Sequence, residues 1–196
     1  MLQRLREVCG NDDFHLSGTV ELDETYVGGL EKNKHVSKRL NAGRGAVGKT
    51  AVLGMRERGG RTKATAVDAV NGSTVYTAIN KNIEAGSTLY TDEHRGYGGL
   101  NGLLYQHSAV NHSAGEYVRG TVSTNSIESV WAVLKRGVNG VYHHVSPKHL
   151  NRYVQEFTFR LNDGNVERHS LDRITSLLAA SIGQRLTWNK LVSGEK

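Results

Sequence analysis

Gly18-Thr-Val-Glu-Leu-Asp-Glu24 is the stretch on which the reading of this 196-residue chain turns. β-Branched Thr19 and Val20 lead to Leu22, so residues 17–24 read as a strand carrying Asp23 near its end. A second strand-like run, Ser87-Thr-Leu-Tyr-Thr-Asp92, also ends on an aspartate. A helix-like run, Ile127-Glu-Ser-Val-Trp-Ala-Val-Leu-Lys135, opens on Glu128. Thirty-five residues separate Asp92 from Glu128, and Lys135 follows Glu128 by seven. Strand, strand and helix, with one carboxylate from each, is how a two-metal phosphoryl-transfer site is assembled.

Working outward, residues 50–57 and 61–69 flank Gly59-Gly60 and read as a hairpin. Ser73 is placed to cap a helix running to about Ala85, with Val75, Ala78, Ile79 and Ile83 on one face and Gly86 as its stop. Residues 103–110 supply a further strand. The helix bearing Glu128 runs from about Asn125 to Lys135, with Ile127, Val130, Trp131 and Leu134 on one side. Ser146-Pro147 starts another helix, to about Leu161, on which Leu150, Tyr153, Val154, Phe157 and Leu161 form an apolar stripe. A last short helix covers 171–180. The pattern predicts an α/β domain, a mixed sheet with helices packed on it, over residues 17–162. Residues 1–16 are polar and read as the tail of a missing upstream region, and 163–196 as a C-terminal helical tail.

Lysine and arginine number 25 against 19 aspartates and glutamates, giving a formal charge of +6 and a pI near 9.5. Such a surface suits a polyanionic partner, nucleic acid or an anionic membrane face. Residues 31–50 hold most of the excess: Lys32, Lys34, Lys38, Arg39, Arg44 and Lys49 against Glu31 alone. A solvated loop is the ordinary explanation. The segment adjoins the strand bearing Asp23, which favours direct contact with DNA phosphates, with Arg136 contributing from the helix. No apolar run reaches the ~18 residues of a spanning helix and the N-terminus lacks a signal-peptide core, so a cytoplasmic protein is expected. Lone Cys9 excludes an internal disulfide and a cysteine-based zinc ribbon. The histidine clusters, His143-His144 with His149 and His107 with His112, lack ordered ligand spacing, so no zinc is expected.

Gly43-Arg-Gly-Ala-Val-Gly-Lys-Thr50 matches the P-loop pattern in full. A working P-loop follows a buried strand and opens a helix. Here a basic stretch precedes the motif and a strand-like, glycine-containing run follows it. A nucleotide hydrolase is therefore the least favoured reading, no ATP is expected, and Lys49 is assigned to a DNA phosphate.

The carboxylates carry the chemistry. Magnesium prefers hard oxygen ligands, and two ions roughly 3.5–4 Å apart can activate the attacking oxygen and stabilise the leaving one. Two carboxylates about 4 Å apart repel by roughly 4 kcal/mol at an effective dielectric of 20, so a cluster without a cation is costly. Each residue also has an ordinary explanation. Asp23 can be an exposed strand residue, as Glu21 and Glu24 read. Asp92 can start a turn. Glu128 fits a capping box with Asn125 as N-cap. Their order and spacing together favour a metal site. Seven residues is close to two helical turns, so Lys135 shares a face with Glu128 and can hold a phosphate beside the metals. Trp131, between them, reads as core.

Several long motifs, in order, then resemble bacterial insertion-sequence transposases of the Asp-Asp-Glu class. They are Glu21-Leu-Asp-Glu-Thr-Tyr-Val-Gly-Gly29, Tyr90-Thr-Asp-Glu-His-Arg-Gly-Tyr97, Asn125-Ser-Ile-Glu-Ser-Val-Trp-Ala-Val-Leu-Lys-Arg-Gly137 and Tyr142-His-His-Val-Ser-Pro-Lys-His-Leu-Asn-Arg-Tyr153. The group most similar is the one whose longer members carry an N-terminal zinc ribbon. The resemblance implies a ribonuclease-H-like fold, two Mg²⁺ or Mn²⁺ ions, and DNA strand cleavage and transfer. It places the metal-binding triad on Asp23, Asp92 and Glu128 and the helix lysine on Lys135. In some relatives Asn takes the third acidic role, which makes Asn125 a helper or a cap here. The expected partners are duplex DNA, at element ends and target, and further copies of the chain. The rival reading is a truncated, non-catalytic DNA-binding remnant of such an enzyme.

Overall fold

The computed structural model describes residues 2–10, 13–40, 45–100, 104–164 and 169–193. Five strands form one sheet: β1 (Thr19–Val27), β2 (Thr50–Glu57), β3 (Thr62–Val67), β4 (Thr88–Thr91) and β5 (Gln106–Ala109). Their order is β3-β2-β1-β4-β5. β1, β2 and β3 are antiparallel neighbours, whereas β1–β4 and β4–β5 are parallel. The first is a meander, since Gly59 (φ 69°) turns β2 directly into β3. A parallel pair needs a crossover, which α2 (Gly72–Asn82) supplies between β3 and β4. An antiparallel meander extended by parallel strands across a helix is the ribonuclease-H-like sheet.

Alternation along β1 separates two cores. Val20 and Leu22 join Leu53, Met55, Val75, Ile79, Leu89 and Tyr97 on the α2 face. Val27 joins Val52, Ile127, Val130, Trp131, Leu134, Leu150 and Val154 on the other, beneath α3 (Asn125–Gly137) and α4 (Pro147–Asn162). Apolar stripes on α3 and α4 thus have a sheet to cover, which is why both helices form where the periodicity places them.

Several details differ from expectation. The cap of α2 is Asn71, whose side chain accepts from Thr74 N–H (2.9 Å), rather than Ser73. β1 begins two residues later and ends three residues later than the sequence indicates. Thr124, not Asn125, is the N-cap of α3, and its side chain makes no capping bond. Glu21 does that work from β1: its Oε2 accepts from the backbone N–H of Ser126 (2.9 Å) and Ile127 (3.1 Å). Glu21 is only 1% exposed, so its reading as a surface residue fails. The polar N-terminus contains a helix, α1 (Leu2–Val8), held to α4 by Arg6–Glu156 (2.7 Å) and Arg152–Glu7 (2.6 Å) ion pairs. Helices α5 (Ser170–Ser181) and α6 (Trp188–Ser193) follow α4. No helix among the described residues is long and apolar enough to cross a membrane.

Within the basic segment, short 3₁₀ turns span Glu31–Asn33 and Val36–Lys38. Arg39 donates to the carbonyls of Lys34 (3.0 Å) and Lys32 (2.7 Å), and Glu31 pairs with Lys34 and accepts from Leu40 N–H (2.8 Å). Lys32 and Lys38 point to solvent. Arg44 lies outside the described residues. Thr50 opens β2, not a helix, so the P-loop pattern lacks the helix N-terminus that would bind phosphate.

Candidate active site

The parallel register pairs Thr19 with Thr88, Val20 with Leu89 and Glu21 with Tyr90. Two residues further on, Asp23 comes level with Asp92, just past the last paired residue of β4. β1 continues there with no parallel neighbour. Side chains from both its faces can therefore reach round the open edge toward Asp92. Asp23, Glu24 and Asp92 each place a carboxylate oxygen within 4.8 Å of the others. Asp23 and Asp92 converge as the sequence suggests. Glu24, expected as an exposed strand residue, instead joins the cluster: strand alternation points it to the opposite face from Asp23, and the open edge lets it reach round.

Each carboxylate is oriented by neighbours. Trp131 Nε1–H donates to Asp23 Oδ2 (2.9 Å). This indole lies against the sheet because Gly54, opposite Asp23 in β2, has no side chain; a Cβ there would overlap the Trp131 ring. Tyr97 O–H donates to Glu24 Oε2 (2.9 Å), and the His94 ring stands 3.8 Å from Glu24 Oε1. Asp92 Oδ1 accepts from the backbone N–H of His94 (2.9 Å), a turn that fixes its direction. Trp131, read as core, is both core and hydrogen-bond donor to the site.

The electrostatics report crowded negative charge. Burial first, then Glu24 and Asp92, push the Asp23 carboxyl up to about 7. Burial also raises Glu24, against the Tyr97 hydrogen bond and His94, which favour its ionised form. Buried Tyr97 is raised well above the usual phenol range by desolvation and by Glu24. Three hard oxygen donors, one pushed toward protonation by burial and then by its neighbours' charge, fit a divalent cation, which would offset both.

Glu128 does not join this cluster. It is exposed on the first turn of α3, and its carboxylate accepts from Thr124 Oγ1 (2.9 Å). It stands one helical turn before Trp131, the residue that touches Asp23. Lys135, one turn beyond Trp131, and Arg136 are exposed and make no ion pair with a described residue.

Residues 15–162 match the model of the ISXO2-like transposase domain. A protein of the transposable element ISH50 of Halobacterium salinarum is 31% identical over 156 residues, which is 74% of this chain and 53% of that protein. The chain thus spans about half the length of the curated relative it matches. Among solved structures, the magnesium-bound HTLV-2 integrase catalytic core, in dimeric and trimeric forms, superposes with TM-scores of 0.45 and 0.44 at 13% and 12% identity, covering 78% of this chain and 89% of that one. Strand order, rather than these superpositions, carries the fold assignment. From the family match over most of its length, this chain belongs to the ISXO2-like transposase domain family.

Proposed function

We propose that the chain is the catalytic core of a DNA transposase, cleaving a strand at the end of an insertion sequence and joining it to target DNA. The carrying observation is the Asp23–Glu24–Asp92 cluster at the open sheet edge, inside a span that matches a transposase domain throughout. Two Mg²⁺ or Mn²⁺ ions, when bound, supply charge neutralisation at the scissile phosphate. Asp23 and Asp92 would hold them, with Glu128 completing the set from α3. Trp131 fixes the direction of Asp23, and Lys135 binds a phosphate beside the cluster.

Water attacks phosphorus and the bond to the 3′-oxygen breaks, releasing a 3′-hydroxyl. That hydroxyl then attacks a phosphodiester of the target, so one ester is exchanged for another and no ATP is required. Lys32, Lys38 and Lys49, with Arg44 and Arg136, hold the duplex by its phosphates. An element has two ends to be brought together, so more than one copy acts on the DNA.

The test is incubation of the protein with element-end duplex and Mn²⁺, resolved on a denaturing gel. Nicks bearing a 3′-hydroxyl, together with joined products, both lost in Asp92→Asn, are expected. Duplex that is bound but neither cut nor joined would make the chain a DNA-binding remnant instead.

A further inference from the structure

Below the carboxylate cluster lies a second polar assembly. Glu21 precedes Asp23 by two residues, and Tyr90 precedes Asp92 by two. Ser126 and Ile127 immediately precede Glu128. All of them meet at one ion pair. Glu21 Oε1 accepts from Arg58 Nε (2.9 Å) while Oε2 caps α3 through Ser126 and Ile127. The same guanidinium donates to Thr121 O (2.6 Å) and Ser123 Oγ (2.8 Å) in the loop entering α3. It also lies over the Tyr90 ring, 4.9 Å from its centroid. Tyr90 Oη in turn lies 3.2 Å from Thr121 Oγ1.

We infer that Glu21 and Arg58 are positioning residues for the metal site: the pair fixes β1, β4 and α3 relative to one another, and so sets where Asp23, Asp92 and Glu128 can meet. The inference rests on the metal reading proposed above. A carboxylate buried to 1% exposure is costly unless paired, and Glu21, on the strand that bears Asp23, divides its bonds between Arg58 and the start of α3, the helix that bears Glu128. Arg58, with a planar fork and a stacking face, makes contacts that a lysine cannot reproduce together.

Terbium(III) luminescence tests this without relying on cleavage. The ion substitutes for a divalent metal and is sensitised by a nearby indole, here Trp131 on Asp23. Trp188→Phe removes the only other indole from the background. In that background Arg58→Lys keeps a positive charge beside Glu21 but loses the fork, and its side chain is 34% exposed, so the fold should persist. Glu21→Gln is the companion variant. Terbium affinity should fall about 10- to 100-fold in Arg58→Lys, as is typical when groups that orient metal ligands are removed. Thermal unfolding should stay near that of the parent. In Mn²⁺-dependent cleavage, kcat should fall while the KM for DNA holds.

Terbium affinity within about twofold of the parent in both folded variants would overturn the inference. So would an Arg58→Lys variant that loses its fold, since the pair would then hold the domain rather than the site. Failure of the parent to sensitise terbium would remove the metal reading, and the clamp with it. A parent that binds terbium but never cuts DNA would remove only the transposase reading, and the variants would still decide the clamp.

Discussion

Asp23 is where burial, charge and hydrogen bonding meet most sharply. Its carboxyl is raised from an ordinary 3.8 to about 7, so between those values the folded protein holds a proton that the unfolded chain has released. Metal-free stability should therefore fall as pH rises from about 4 through about 7, by a few kcal/mol at most. Asp23→Asn should flatten that slope, as urea titrations in EDTA across pH would show; parallel slopes in the two proteins would argue against the raised value. Glu128 is the complementary case. Gln at 128 can still accept from Thr124 Oγ1, so Glu128→Gln should unfold like the wild type, yet lose Mn²⁺-dependent cleavage. Equal cleavage would remove Glu128 from the site. Asp23 and Asp92 were legible in sequence because each ends a strand-like run. Glu24 was not, since its contribution depends on β1 extending past its parallel neighbour. Nor was Glu21, whose burial follows from a helix brought over it by a segment a hundred residues away.

At the level of elements, α3 and β1 share one contact on which the site depends. Gly54 leaves room for Trp131, and Trp131 reaches Asp23. Gly54→Ala should push the indole away, cost about 1–3 kcal/mol as overpacking does, and break the Asp23 hydrogen bond. Chemical denaturation with the tryptophan emission maximum reads both; an unshifted spectrum and unchanged midpoint would mean the close approach is not as described. The helices and the hairpin were predictable because apolar periodicity and turn glycines are local signals. The caps were less so. Asn71, Ser73, Thr124 and Asn125 are all competent capping residues, and tertiary contacts decide among them. α1 is not legible because much of what holds it is ion pairing to α4, which leaves no apolar period to read.

For the whole molecule, charge is divided between an acidic site and a basic loop beside it. Not every cation in that loop faces outward for DNA: Arg39 braces the loop against its own carbonyls, and Lys34 pairs with Glu31. Lys32 and Lys38 are the solvent-facing pair. Reversing both to Glu should weaken binding to any duplex and shallow its salt dependence by roughly two contacts' worth, with no change in unfolding. Binding titrations at several salt concentrations would show this, and an unchanged slope would take the loop off the interface.

Iron-directed cleavage would map the proposed divalent-metal site at the ends of β1 and β4 and the start of α3. Fe²⁺ with ascorbate and peroxide releases hydroxyl radicals where the ion sits, cutting the backbone nearby. Cuts are expected close to Asp23, Asp92 and the start of α3, suppressed by excess Mg²⁺ and absent in Asp92→Asn. Cuts confined to other segments, or a pattern unchanged in Asp92→Asn, would contradict the proposed site.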